Sequence, residues 1–242
     1  MVGLGKYFDN TTNVKYSAFF KDKITTVEVM RTLEGIVDDL TLFIDDENND
    51  KIKKEVNNSF AVFDGRISFG KNLKVSEFSK IEGPVIIGDN VTIGTNVHIR
   101  PYTVIGDNVS IGHGSEIKSS ILMNGCKVAS NAFVGDSIIG ENARVGSGTI
   151  TANRKFDQTN VIVRNPERTE AVDTCRDFFG VVLGDNSRLG ANCTVIPGTH
   201  IGHDTFVSAG TTIAGVYPSD KMIKPKTYND LEITDKEKVK LK

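Results

Sequence analysis

A six-residue step dominates this chain. From Phe63 onward, every sixth residue is large and apolar: Phe63, Phe69, Val75, Ile81, Ile87, Ile93, Ile99, Ile105, Ile111 and Ile117. A helix repeats its buried face about every 3.6 residues and a strand every 2, so neither accounts for the spacing. Glycine follows several of the step residues, at Gly70, Gly88, Gly94, Gly106 and Gly112. Four residues beyond a step stand mostly β-branched or small side chains, among them Ile67, Ser79, Val85, Val91, Val97 and Val109. A short strand with inward-pointing apolar residues, followed by a corner where Gly or Asn turns the backbone, meets this order. It is the hexapeptide signature of a parallel β-helix, an all-β solenoid whose coils stack about 4.8 Å apart. The frame slips after Met123 and resumes at Ile139-Gly140 and Val145-Gly146. It resumes again at Leu183-Gly184 and runs through Leu189-Gly190, Val195, Ile201-Gly202, Val207 and Ile213. A flexible linker would also be glycine-rich, but it would not keep an apolar register.

The remaining sequence arranges itself around this solenoid. Thr25-Thr26-Val27-Glu28 reads as a capping box opening an amphipathic helix, with apolar positions at Val29, Leu33, Ile36, Val37, Leu40 and Phe43. That helix is expected to cover the open end of the first coil, and Asp45–Asp50 reads as a solvated acidic turn. The expected organisation is a short N-terminal helical cap over 1–62, the β-helix over 63–218 with an inserted loop at 151–182, and a tail over 219–242. The tail is Lys-rich and lacks the repeat, which leaves it as a closing strand, a helix or a disordered arm. An excursion from a regular scaffold is where function is commonly placed.

Composition narrows the classes. Lys+Arg 29 against Asp+Glu 31 gives a formal charge of −2, with no long basic run, which argues against a nucleic-acid partner. No apolar stretch reaches the ~20 residues of a membrane helix, and the first residues lack the apolar core of a secretory signal. Cys126, Cys175 and Cys193 show neither a disulfide framework nor CxxC pairs, so a cytoplasmic location is expected.

Within the repeat, Ile99-Arg100-Pro101, Ser115–Leu122, Val134-Gly135-Asp136 and Val145-Gly146-Ser147-Gly148-Thr149-Ile150-Thr151-Ala152-Asn153 occur in order. Over roughly residues 81–218 this run resembles the acetyltransferase half of bifunctional N-acetylglucosamine-1-phosphate uridylyltransferases and archaeal sugar-phosphate nucleotidyltransferases, in the hexapeptide-repeat acyltransferase superfamily. Residues 1–60 carry no Gly-rich uridylyltransferase motif, so nucleotide transfer is not implied. The resemblance implies a left-handed β-helix, a homotrimer, an acyl-CoA donor such as acetyl-CoA bound between neighbouring prisms, and an amino sugar phosphate as acceptor. Arg100 and Lys118 fall on its phosphate-binding positions and Asn153 on the Asn beside the Gly-Thr-Ile-Thr string. Ser147, Ala191, Ser208 and Ala209 fall where the family lines its acetyl-CoA groove. Ser130, Phe133 and Arg144 stand where the family has its general-base His, its active-site Tyr and a substrate-binding Asn. This departure leaves the catalytic base unknown, or the chain a non-catalytic scaffold or ligand-binding protein.

Three hexads make a coil of 18 residues in this family, so Arg100 and Lys118 stack. Two stacked cations suit a phosphate, or else form part of a charge ladder with Asp64 and Glu82, with Lys118 also in reach of Asp136. His113 is the candidate for a relocated base, its rung neighbour 18 residues on being Asn131 beside Ser130; a surface histidine on a turn is the alternative. Cys126, beside Lys127, reads as a thiol nucleophile or as a buried structural cysteine. His98, His113, His200 and His203 do not match the three-histidine zinc spacing of trimers resembling γ-class carbonic anhydrases. With no carboxylate partner read beside His200 and His203, no metal is expected.

Overall fold

The computed structural model describes residues 2–8, 17–45, 47–56, 60–165 and 169–226. Its body is a three-sided prism of short parallel strands, each sheet containing eight. The first face runs from Val62–Asp64 through His98–Ile99 and Glu116–Lys118 to Thr212–Ile213. The second runs from Ile67–Phe69 to Val216–Tyr217, and the third from Lys74–Val75 to Met222–Ile223. Together with the hexapeptide repeats this is a left-handed parallel β-helix with a short N-terminal helical cap. The step residues of the sequence point inward: Ile81, Ile93, Ile99 and Ile117 are fully buried in one continuous column of aliphatic side chains. Full burial of each such side chain contributes about 1.5–3 kcal/mol. Close stacking demands glycine at particular corners. A Cβ on Gly146 would sit 2.4 Å from the Gly190 backbone, closer than any real contact.

The frame slip lies earlier than the expected position after Met123. His98 pairs with Glu116, a step of 18, whereas Val104 pairs with Ile121, a step of 17. The residue is lost at the corner, where Ser119-Ser120 stand opposite the three residues Pro101-Tyr102-Thr103. The next coil keeps the short corner, with Ile117 opposite Val134 and Ile121 opposite Ile138. Ser120 and Ser137 are fully buried there and each hydroxyl donates to a carbonyl two residues back, Lys118 and Gly135. Those bonds satisfy the tighter turn from within.

Among the described residues, three α-helices accompany the prism, in places the sequence does not separate. The first, α1 (Ser17–Phe20), is a single turn that buries Phe19 and Phe20 against its neighbour. That neighbour, α2 (Thr26–Thr41), starts at the expected capping box, the Glu28 amide donating to Thr25 Oγ1 at 3.2 Å and the Thr25 amide to Glu28 Oε2 at 2.9 Å. Val29, Met30, Leu33 and Val37 are buried against the second face, in a cluster with Val104, Ile121, Met123 and Ile138. It therefore covers a side of the prism rather than its end. Its last turn overhangs, so Leu40 is half exposed and Phe43, beyond the helix, is 93% exposed. The end of the first coil is instead met by α3 (Glu47–Val56), which buries Ile52 in the main core with Val56 packed beside it. Helix thus replaces the expected acidic turn from Glu47 onward.

The excursion leaves after Thr151 and returns at Val181. It carries an antiparallel hairpin, Ile162–Arg164 with Ala171–Asp173, and is tied to α2 by Arg31, which donates to the Asp173 and Thr174 carbonyls at 2.9 and 2.8 Å. At the other end, the rung Met222–Ile223 pairs with Phe206–Val207, so strand pairing extends beyond the expected limit at 218. The expected tail beyond 226 lies outside the described residues. No helix among the described residues is long and apolar enough to cross a membrane.

Candidate functional site

The second face is covered by α2, the N-terminal segment and the hairpin, so the first face is open along two edges of different chemistry. One edge follows the first-face strands and carries Arg100 and Lys118 on adjacent rungs. Neither cation is bare. Arg100 Nη1 donates to Glu116 Oε1 at 2.8 Å, a pair roughly 40% exposed on both sides. Lys118 Nζ lies 3.3 Å from Asp136 Oδ2 and 4.2 Å from the centre of the Phe178 ring. Asp136 is 1% exposed and also accepts from Asn153 Nδ2 at 2.7 Å, with Arg176 Nη2 3.6 Å from its other oxygen. Arg176 continues the network to Glu34 and the Met30 carbonyl of α2. Asn153 thus joins Lys118 in one cluster, holding the root of the excursion against the prism. The expected ladder from Glu82 to Arg100 is replaced: Glu82 is paired with Lys80 and with His98, whose Nε2 lies 2.6 Å away. Those two hydrogen bonds hold its carboxyl below the ordinary range.

The opposite edge precedes the first-face strands. Its rungs are His113-Gly114, Ser130-Asn131, Ser147-Gly148, Ala191-Asn192 and Ala209-Gly210. The second residue of each is left-handed, with φ of 67°, 56°, 69°, 55° and 70°. Backbone bonds run from Gly148 to Ser130, from Asn192 to Ser147 and from Gly210 to Ala191, joining successive rungs. Ser147, Ala191 and Ala209 therefore line one edge, with Ser208 half-buried on the strand side. The shortened coil corrects the neighbour of His113. Ile111 pairs with Val128, so His113 opposes Ser130 itself, where a step of 18 reaches Asn131. His113 is exposed and has no side-chain partner among the described residues. Phe133 faces outward on the first face, half-buried, whereas Arg144 lies exposed on the third face, away from Arg100.

Other candidates resolve differently. Cys126 is fully buried, and burial pushes its thiol well above the ordinary value, which removes it as a nucleophile. His203 does have carboxylate neighbours: Nδ1 is 2.9 Å from Asp204, and His203, Asp204 and Asp220 bring ligand atoms within 4.8 Å of one another on the surface. His200 is apart from them, fully buried. Its Nδ1 donates to the Gly198 carbonyl at 3.0 Å and its Nε2 accepts from Thr26 Oγ1 at 2.9 Å. Tyr7 and Phe179 pack on its ring at 5.3 and 5.8 Å, and desolvation pulls its pKa down to about 4.

Glu116, Arg176 and Phe178 were not legible as site residues. Glu116 was within reach, because residues two apart on a strand share a face. Arg176 and Phe178 return to this edge only through the excursion, whose length hides any register.

These features define a left-handed parallel β-helix built from hexapeptide repeats. Residues 180–215 match the model of the bacterial transferase hexapeptide (six repeats), and residues 66–169 match that of the GMPPB C-terminal domain. The prism is related in sequence to the bifunctional protein GlmU of Methanococcus aeolicus, 39% identical over 114 residues, 47% of this chain and 27% of the relative. GlmU of Methanocaldococcus jannaschii is 36% identical over 118 residues, covering 46% and 28%. A bifunctional sugar-1-phosphate nucleotidylyltransferase/acetyltransferase of Sulfurisphaera tokodaii is 34% identical over 98 residues, covering 40% and 24%. The match thus spans about a quarter of these relatives' length. Among solved structures, the N-acyltransferase AntD of Bacillus cereus, in complex with dTDP-4-amino-4,6-dideoxyglucose and coenzyme A, aligns at 18% identity and TM-score 0.42, over 73% of this chain and 84% of that one. The UDP-N-acetylglucosamine acyltransferase of Francisella novicida aligns at 18% and 0.35, over 69% and 66%.

Proposed function

We propose that this chain is an acyl-CoA-dependent acyltransferase-like protein of the cytoplasm, acting as a homotrimer on a phosphorylated or nucleotide-linked amino sugar. The observation that carries the reading is the pairing of edges on one open face: stacked cations along one, a file of small residues along the other. The small side chains of Ser147, Ala191, Ser208 and Ala209 leave room for an extended pantetheine arm. The acyl-CoA supplies an activated thioester. Arg100 holds the acceptor phosphate: its pair with Glu116 is half exposed and worth about 0–1 kcal/mol, so a bidentate phosphate displaces it readily. Lys118, clamped by Asp136 and covered by Phe178, contributes charge from a fixed position, and Asn153 keeps that clamp in place. His113 stands beside Ser130 on the donor edge, where its imidazole takes the proton from the attacking amine as the C–N bond forms and the C–S bond breaks, releasing the CoA thiolate.

The test is thiol release from acetyl-CoA over a panel of amino-sugar phosphates. Turnover is expected, with Arg100→Ala raising the acceptor KM and His113→Ala abolishing kcat. No turnover, together with no thermal shift on adding acetyl-CoA, sinks the reading.

A second reading, a non-catalytic trimeric scaffold or ligand-binding protein, is favoured by Ser130 and Phe133 at the positions of the family's His and Tyr. It predicts a silent native protein that gains acetyltransferase activity in the Ser130→His, Phe133→Tyr double variant.

A further inference from the structure

The outward column of the third face reads, coil by coil, Lys74, Thr92, Ser110, Lys127, Arg144, Arg188, Phe206 and Met222, each directly opposite the next. Three consecutive rungs are therefore cationic, about 4.8 Å apart. Lys127, Arg144 and Arg188 are all exposed, and none makes an ion pair or side-chain hydrogen bond among the described residues. The contrast with the first face is complete, for there Lys80, His98, Arg100 and Lys118 each have a carboxylate partner. Like charges directly opposed on neighbouring strands destabilise a sheet. A run of three without a counterion is a surface shaped for an anion longer than one phosphate.

Two further features give that anion a character. The Arg188 guanidinium lies 5.4 Å from the centre of the Phe206 ring, which is 43% exposed, and Met222 on the following rung is 63% exposed. A flat apolar platform thus continues the cationic run, suited to a stacked base. Two residues along each strand, on the same side of the sheet, lie Ala129, Gly146, Gly190 and Ser208, the approach to the small-residue edge.

The geometry points to a nucleoside diphosphate site on the third face: Lys127, Arg144 and Arg188 neutralise the phosphates and Phe206 stacks on the base. CoA and a nucleotide-linked sugar both contain this unit. The assignment of CoA to it rests on the acyl-donor reading above, whereas the site itself does not.

Calorimetric titration at low salt with ADP, UDP, CoA and inorganic phosphate, against wild type and Arg144→Gln/Arg188→Gln, tests it. Wild type is expected to bind ADP with an affinity that falls as salt rises and that the double variant lowers at least tenfold. The free double variant should melt at or above the wild-type temperature, because a repulsion is removed. Phe206→Ala should weaken ADP and leave inorganic phosphate unchanged. Tighter binding of CoA than UDP identifies the donor, and the reverse identifies a nucleotide-linked acceptor. No nucleotide binding, nucleotide binding equal in the double variant, or phosphate binding as tight as ADP overturns the site. ADP binding without any transferase activity leaves this site standing and removes the transferase reading. Turnover in a protein that binds no ADP does the reverse.

Discussion

Arg100 and Lys118 look alike in the sequence, yet their surroundings make them different reagents. Arg100 rests against a half-exposed glutamate, and Lys118 sits within a buried network centred on Asp136. Arg100→Ala should therefore shift stability by no more than about 1 kcal/mol. Asp136→Ala should cost about 2–4 kcal/mol, because it strands Lys118 and Arg176, 22% and 19% exposed, and removes the partner of Asn153. Urea unfolding of both variants checks this, and equal effects would contradict the structure. The stacking of the two cations was legible from their spacing of 18. Asp136 was in reach of Lys118 by the same spacing, but Glu116 on Arg100 was not read, and Arg176 arrives from the far end of the excursion.

At the scale of elements, the capping box was written in four residues, and the structure uses it. Thr25→Ala should lower stability by about 1 kcal/mol, measured by thermal or urea melts, with Thr25→Ser recovering most of the loss. The placement of α2 and α3 was not written so plainly. The sequence of α3, ENNDKIKKEV, has few apolar positions, and only contact with the first coil shows that Ile52 closes the core. His200 shows how the covering elements are joined to the second face, since Tyr7, Thr26 and Phe179 all meet its ring. Its pKa of about 4 lies below the ordinary 6.5, so the unfolded chain binds the extra proton between these values. Stability from this site is complete above pH 6.5 and is lost as pH falls toward 4, about 3 kcal/mol in all. Melts at intervals from pH 7.5 to 4 should show that slope in the wild type and lose it in His200→Gln. Equal slopes would exclude His200 as the cause.

For the whole molecule, the first face divides lengthwise. Its early coils display paired charges, and its later coils display Phe133, Ile150 and Ile196 among small residues, with Ile150 42% and Ile196 39% exposed. This later half is the natural contact between copies in the proposed homotrimer. Light scattering should give three times the 26.4 kDa chain mass. Ile150→Lys with Ile196→Lys should give monomers of unchanged fold by circular dichroism, and a wild-type monomer would refute the assembly.

The six-residue register by itself determined the solenoid, because only stacked short strands bury one aliphatic residue at that period while turning at Gly or Asn. It also determined which side chains form the core. Only the tertiary structure decided which helix covers a side and which closes an end, where the coil loses a residue, and which charges meet. Those outcomes depend on contacts between segments far apart in the chain, as between Glu34, Asp136 and Arg176. A local period contains no information about them. Periodicity also marks a column without saying whether its charges are neutralised. The pairing of carboxylates on the first face, and the unpaired run of Lys127, Arg144 and Arg188 on the third, emerged only when the coils were laid on one another.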